Sequence, residues 1–525
     1  MVRRKTLLRL LALLFAFGLV AAACGDSDDD ASGDGTTADD SGDDTPTDDD
    51  GEEPSSDDDG SMAEDDGDDS AMAEDDGDDS AMAEDDGDDS AMAEDDGDDS
   101  AMAEDGAMGE ATGEPIKIGF QNPEGDPAGS FPEYSAAAEA AAEYINTELG
   151  GLGGRPIELE VCAMAITPDD SQRCANELAA DGVELVISSL NFFGNHFPIL
   201  EGSNIPVIVG TPITVADFTS PGVYSIGAGG GCFGVHTGLV QFATQDLPEL
   251  AGIEVNRVGV PWADTPPGVV CYYDLESKPL DVINGGIEGS GALAGSNPDL
   301  EHIGVPVAPG AADVTAQATA VLDFEPDVII FSAQGSDCWT FVDALGRLGW
   351  TPEDIPLVLS GACTDFTAME AAGDLALGVY LTSTENGVLN PLDGLTGQHL
   401  EDATTYQTKG LEYGLSEDDL FKGFAGQGFS ALMSIWQQAQ LLDGDVTGEA
   451  LGDAYATADG SQPSFGGSPL DCAGAPEPYI AVCSSAITMN QWDGTQLVPV
   501  LDGATISGID LVAGTEIQPG PYELN

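Results

Sequence analysis

Positive charge is what this chain has least of. Twelve lysines and arginines stand against 97 aspartates and glutamates, a formal net charge of −85 over 525 residues. Bases this sparse cannot neutralise a phosphate backbone, so nucleic acid is excluded as a partner. Histidine is rarer still. His196, His236, His302 and His399 fall at no metal-ligand spacing, and no two cysteines form a close CxxC pair, so no metal is expected. There is no G-x-S-x-G elbow, and neither an enzymatic reaction nor a cofactor is read from the chain. Beyond the N-terminus, no apolar stretch is long and charge-free enough to span a bilayer.

The exception at the N-terminus is informative. Arg3, Arg4 and Lys5 precede an apolar stretch from Leu7 to Val20, followed by Ala21-Ala22-Ala23-Cys24. The run is short for a membrane span and reads as the core of a signal peptide. A cysteine directly after the small residues is what a bacterial lipoprotein signal presents, with cleavage before Cys24 and lipid on its sulfur. Ordinary secretory cleavage after Ala23 is the alternative. Either route makes the mature chain extracytoplasmic, and the first anchors it to the outer face of the cell membrane by lipid alone.

From Gly25 to about Thr112 the chain is nearly all Asp, Glu, Gly, Ser, Ala and Met. Too little apolar surface is present to offset chain entropy, so residues 24–113 are expected to form a disordered acidic tether. Ser61 to Ser100 holds four copies of a ten-residue unit, AMAEDDGDDS with a variant first copy. As a random coil the tether reaches roughly 50 Å, and self-repulsion extends it. Cation binding by Asp65, Asp66, Asp68 and Asp69 is the competing reading, but DDGDD lacks the alternating spacing of an EF-hand. The rest of the chain is acidic too, with about 57 acids against 8 bases. Such a surface reads as adaptation to salt or acid rather than as specificity.

Cysteine use agrees with export. Setting aside Cys24, eight remain: Cys162, Cys174, Cys232, Cys271, Cys338, Cys363, Cys472 and Cys483. An even number in an oxidising compartment implies four disulfides, whose connectivity sequence alone does not fix. Nearest-neighbour pairing, 162–174, 232–271, 338–363 and 472–483, is the expectation.

The remaining chain alternates short apolar runs with helical stretches. Strands are expected at Ile116–Phe120, Ile157–Val161, Glu184–Ser188, Ile205–Val209, Arg257–Val260, Asp327–Ser332, Pro356–Leu359 and Gly378–Leu381. Helices are expected at Ser135–Leu149, Ser171–Asp181, Val235–Ala243, Val269–Asp281 and Phe429–Leu442. Buried strands each followed by a helix predict an α/β fold, with parallel sheets covered by helices on both faces. The length exceeds what one core usually supports, which predicts two lobes with a ligand site in the cleft between them.

The ordered series Ile116-Lys117-Ile118-Gly119-Phe120, Ile205 to Val209 leading into Thr211-Pro212-Ile213-Thr214, Val258-Gly259-Val260, Pro326 to Phe331 and Phe429-Ser430-Ala431-Leu432 resembles the type 1 periplasmic-binding-protein family. It is most similar to the leucine/isoleucine/valine-binding group that serves ABC transporters. The resemblance covers Glu114 to Asp502. It implies a monomer of two lobes joined by three crossovers, residues 114–228 with 382–488 and residues 229–381 with 489–525. These would close on a small solute, an amino acid or amino-acid-like compound, and deliver it to a membrane permease. A receptor of the same fold that feeds a signalling partner is the alternative.

Site residues follow from the resemblance position by position. Thr214 falls on the family's ligand-binding threonine and Pro212 on its backbone-carbonyl position. The family's serine position falls at Phe192-Phe193-Gly194-Asn195, where aromatics stand instead. Of its two tyrosines, one aligns with Pro267 and the other with Gln334. Its ammonium-binding glutamate falls near Ala362, with Asp365 as a stand-in. Phe131, Trp262 and Asp264, in or next to loops after strands, are further candidates for the cleft wall. His196, next to Asn195, is read as a surface residue, with ligand contact as the alternative. Gly229 to Gly234 matches G-x-G-x-x-G, but no acidic residue ends the next strand as a dinucleotide site needs, and the glycines are assigned to the first crossover.

Overall fold

The computed structural model describes residues 109–517 except 127–128, 228–230, 383–387, 390–391, 393–394 and 423. The signal segment, Cys24, the acidic repeats and the crossover glycines Gly229 and Gly230 lie outside the described residues.

Five strands form the first sheet: β1 (Ile116–Pro123), β2 (Ile157–Met164), β3 (Leu185–Ser188), β4 (Val207–Val209) and β5 (Val223–Ser225), in the order β2-β1-β3-β4-β5. Every neighbouring pair is parallel. The second sheet contains β6 (Arg257–Ala263), β7 (Glu301–Val307), β8 (Val328–Phe331), β9 (Leu357–Leu359), β10 (Tyr380–Thr382), β11 (Met489–Trp492) and β12 (Leu497–Pro499). Its order is β12-β11-β10-β9-β8-β6-β7. Here the wholly parallel expectation needs correcting, because β11 runs antiparallel to both β10 and β12. The cause is local. Asp493 Oδ1 accepts from the amides of Thr495 and Gln496 at 2.8 and 2.9 Å, closing a tight turn that only an antiparallel pair can use.

Side-chain alternation explains why both sheets are covered twice. In the first, Ile187 and Ile208 face the helices Pro132–Thr147 and Ala425–Ala439, while Val186, Val207 and Val209 face Cys174, Ala175 and Leu178 on the helix Pro168–Asp181. In the second, Ile329, Phe331, Leu357 and Leu359 point one way, and Val328, Ile330 and Val358 the other. The chain crosses between sheets three times. It leaves the first sheet after β5 and builds β6 to β10. It then returns to place Tyr406, Phe429, Leu451 and Tyr455 in the first core, and ends in β11 and β12.

Local signals set several helix ends. Thr167 caps Pro168–Asp181 by accepting from the Asp170 amide, and Gly182 ends it in the left-handed region. Ala425–Ala439 begins four residues before the expected Phe429, because the turn ahead of it packs on the first helix. A Cβ at Gly428 would lie 2.2 Å from the Tyr134 carbonyl oxygen. Two longer helices contain π turns, at Phe242–Asp246 and Tyr273–Ser277. All four disulfides have the nearest-neighbour pairing.

Gly428→Ala separates the intrinsic helix preference from tertiary packing. Propensity alone would stabilise the helix by about 1 kcal/mol. Forcing the Tyr134 backbone away is expected to reverse that sign and cost about 1–3 kcal/mol, read from chemical denaturation.

Candidate functional site

The carboxyl ends of β3 and β4 release two loops on the first lobe, and the end of β6 releases a third on the second. Between them lies an open cavity of about 470 Å³. Phe192, Phe193, Ile213 and Thr214 line it from the first lobe, and Pro266, Pro267 and Val270 from the second.

Each wall is held by identifiable local chemistry. The Asn191 side chain accepts from the Phe193 amide at 3.0 Å and donates to Ser171 Oγ at 2.8 Å, which fixes the aromatic loop over the helix Pro168–Asp181. Gly194 turns that loop at φ +65°, and a Cβ there would stand 2.4 Å from Ala216 Cβ. Thr214 caps the short helix Val215–Thr219 and Asp217 completes a capping box. Asp217 Oδ2 accepts from the Ile213 and Thr214 amides at 2.8 and 2.7 Å. Thr214 Oγ1 accepts from the Asp217 amide at 3.2 Å, and the Thr214 side chain also hydrogen-bonds the Asp217 carboxyl. Asp217 is 1% exposed, and its Oδ1 has no hydrogen-bond partner. Burial pushes its carboxyl up to about 7, against the pull of the Ile213 and Thr214 amides. Across the cavity, Thr265 caps the helix Pro266–Tyr272 by accepting from the Gly268 amide at 3.1 Å.

Of the residues selected from sequence, Phe192, Phe193 and Thr214 meet at this cavity, together with Pro267 at the position aligned with a family tyrosine. Gly194 and Asn195 lie just behind it, and Asn195 donates to the Pro168 carbonyl at 2.9 Å. Pro212 is buried, and its carbonyl accepts from the Cys232 amide at 2.9 Å. Phe131 packs edge-on against Phe424, with ring centroids 5.2 Å apart. Asp264, Gln334 and Asp365 are exposed, and Asp365 caps the helix Phe366–Ala372 by accepting from the Ala368 amide.

Two placements correct the sequence reading. Trp262 is 2% exposed and stacks on Tyr272 at 5.1 Å, because it shares the core-facing side of β6 with Val258 and Val260. His196 is fully buried rather than on the surface, between Ser171 Oγ at 3.3 Å and Ser188 Oγ at 3.1 Å. Burial lowers its imidazole to about 3, so it is neutral. Ile213, Val215, Ala216, Thr219, Ser220, Pro266 and Val270 also line the cavity and were missed. The Thr-x-x-Asp pattern at 214–217 and the Thr265-Pro266-Pro267-Gly268 run were the signals that marked both helix starts.

Among the described residues, the cavity lining carries hydroxyls at Thr214, Thr219 and Ser220 but no carboxylate, amine, guanidinium, imidazole or thiol. Cations are committed elsewhere. All eight lysines and arginines after residue 108, Lys117, Arg155, Arg173, Arg257, Lys278, Arg347, Lys409 and Lys422, pair with carboxylates within 4.0 Å.

Residues 115–248 match the family model described as periplasmic binding protein. The fold is shared with an ABC transporter substrate-binding protein from Sphaerobacter thermophilus, at 18% identity, covering 76% of this chain and 99% of the other with a TM-score of 0.56. A leucine binding protein from Thermotoga maritima is 15% identical over 75% of this chain and 99% of its own, with a TM-score of 0.52. A solute binding protein from R. palustris, solved in complex with 4-hydroxybenzoate, is 15% identical over 75% and 97%, with a TM-score of 0.54. No curated protein matches the chain. The chain thus has the two-lobed type 1 periplasmic-binding fold, and its residues 115–248 are similar to the periplasmic binding proteins.

Asp217 gives the site a pH signature. As pH falls from about 7 toward the ordinary carboxylate range, the folded state binds a proton that the unfolded chain does not, so this residue's contribution becomes more favourable. Above pH 7 the full cost of burying the ion is present. Asp217→Asn is expected to remove that component, on the order of a few kcal/mol. Denaturation curves of both proteins between pH 4 and about 8 should diverge in slope below about pH 7.

Proposed function

We propose that this chain is the extracytoplasmic receptor of an ABC importer, a member of the periplasmic binding proteins held to the membrane by lipid on Cys24. It captures a small solute between its lobes and hands it to the permease without chemistry. The observation that carries the reading is the cavity whose walls come from both lobes, Phe192, Phe193 and Thr214 on one side and Pro266, Pro267 and Val270 on the other. Closing such walls excludes water from apolar surface and ties solute capture to lobe motion.

An amino acid or amino-acid-like amide fits with its apolar part between the phenylalanines and the proline pair and its polar end at the Thr214, Thr219 and Ser220 hydroxyls. The lining favours one further class. It offers no carboxylate for an ammonium and no cation for an acid, which supports an uncharged or weakly polar aromatic solute stacked on Phe192 and Phe193. A protein of this fold was solved with 4-hydroxybenzoate, which parallels the aromatic part of this class but not its lack of charge.

The deciding measurement is a thermal-shift panel on the full mature chain with leucine, isoleucine, valine, their amides, polyamines and aromatic acids. A ligand at 100 times its Kd stabilises the folded state by about 2.7 kcal/mol. A shift with the branched-chain set supports the amino-acid reading, and one confined to the aromatic compounds moves the assignment to that class. No shift with any compound overturns the solute reading in favour of a sensor or scaffold. For whichever ligand binds, Phe192→Ala and Phe193→Ala are each expected to weaken affinity roughly 10- to 100-fold, equivalent to about 1.5–3 kcal/mol of lost burial. Cys24→Ser is expected to release the chain from the membrane fraction.

A further inference from the structure

The disulfide between Cys232 and Cys271 has a neighbour that makes it unlike a simple cross-link. Cys232 is the first residue of the helix Cys232–Gln241, and His236 lies one turn later on the same face. His236 Nε2 is 3.5 Å from Cys232 Sγ. Cys271 reaches the same point from the helix Pro266–Tyr272, so that its sulfur, the Cys232 sulfur and a His236 ring nitrogen all lie within 4.8 Å of one another. In a tetrahedral site with Zn–N near 2.05 Å and Zn–S near 2.3 Å, the N-to-S edge is about 3.5 Å. The observed separation is already that length.

The other side of the imidazole faces a carboxylate. His236 Nδ1 is 3.0 Å from Glu276 Oε1, and Glu276 is completely buried on the π turn Tyr273–Ser277. Glu276 Oε1 also accepts from Ser332 Oγ at 2.7 Å. The His236–Glu276 approach lacks hydrogen-bond alignment, and both His236 Nδ1 and Glu276 Oε2 are buried without a hydrogen-bond partner. A carboxylate behind a ligating histidine is the arrangement that fixes its tautomer and leaves the far nitrogen's lone pair for a metal.

We propose that Cys232, Cys271 and His236 form a redox-gated site for a thiophilic divalent cation such as Zn²⁺, with Glu276 as the positioning residue for His236. In the oxidised chain the sulfurs are bonded to each other. An external dithiol transfers two electrons and two protons to the disulfide and is itself oxidised to a disulfide. The cation then displaces the two thiol protons and binds both thiolates and His236 Nε2, leaving a fourth position open. The sulfurs must separate to about 3.8 Å, the edge of a tetrahedron with Zn–S bonds of about 2.3 Å. Val270, beside Cys271, lines the solute cavity, so the site lies directly behind one of its walls.

The test uses the full chain under anaerobic dithiol, with Co²⁺ as the spectroscopic probe and circular dichroism to check that it remains folded. One equivalent of Co²⁺ giving thiolate charge-transfer absorption is expected. His236→Ala and Glu276→Gln should each weaken binding 10- to 100-fold, and a Cys162→Ser/Cys174→Ser variant should bind as the parent does. A second measurement does not depend on the fully reduced fold. The oxidised chain is opened by graded dithiol with and without Zn²⁺, and alkylated cysteines are mapped by mass spectrometry. Zn²⁺ should promote opening of the 232–271 pair alone and shield both its thiols from alkylation. The proposal is overturned if Zn²⁺ shields no cysteine or all eight alike, or if His236→Ala binds Co²⁺ as tightly as the parent.

Discussion

Burial of both faces of two parallel-dominated sheets is the constraint on which the rest of this structure depends. A parallel sheet cannot be closed by hairpins, so each strand must be followed by a crossover, and the crossovers supply the covering helices. Two sheets of this kind compete for one chain. The chain resolves the competition by crossing between them and returning, so that Phe429 and Tyr455, late in sequence, complete a core begun by Ile118 and Phe120. Because loops leave a parallel sheet at the carboxyl ends of its strands, those of β3, β4 and β6 meet at the cavity.

Electrostatics works at a different level. With so few bases, each cation after residue 108 is engaged by a carboxylate, several of them by two, as Lys409 is by Glu148 and Glu412. Most of these pairs are at least partly exposed and each contributes little alone. Their collective effect is on what remains: among the described residues, no charged side chain lines the cavity. Recognition there rests on shape, apolar contact and a few hydroxyl or backbone groups. Asp217, the acid nearest its wall, is turned inward to hold the Ile213 and Thr214 amides.

The strand and helix order was legible because alternation and helical spacing are local. Strands such as Ile116–Phe120 and Pro356–Leu359 were located within a few residues. The β11–β12 hairpin was not, since Met489 to Trp492 has no run that separates it from a loop until β10 is placed beside it. Among site residues, Thr214 was legible through its position after the fourth strand, and Phe192 and Phe193 through theirs after the third. Trp262 was misplaced because a strand's end says which loop it enters but not which face its last side chains take. His196 was misplaced because the serines that enclose it, Ser171 and Ser188, are brought to it by different elements.

By itself the sequence determined the composition-bound properties: the acidity, the signal-like start, the low-complexity stretch, the even cysteine number and the alternating pattern of strands and helices. Each depends on residue type or on neighbours within a few positions. Tertiary structure alone decided which loops face each other, which aromatics line the cavity and which fill a core, and that His236 stands between a disulfide and a buried carboxylate. Those outcomes join residues tens or hundreds of positions apart. Their proximity is fixed by how helices pack on sheets, which no local pattern encodes.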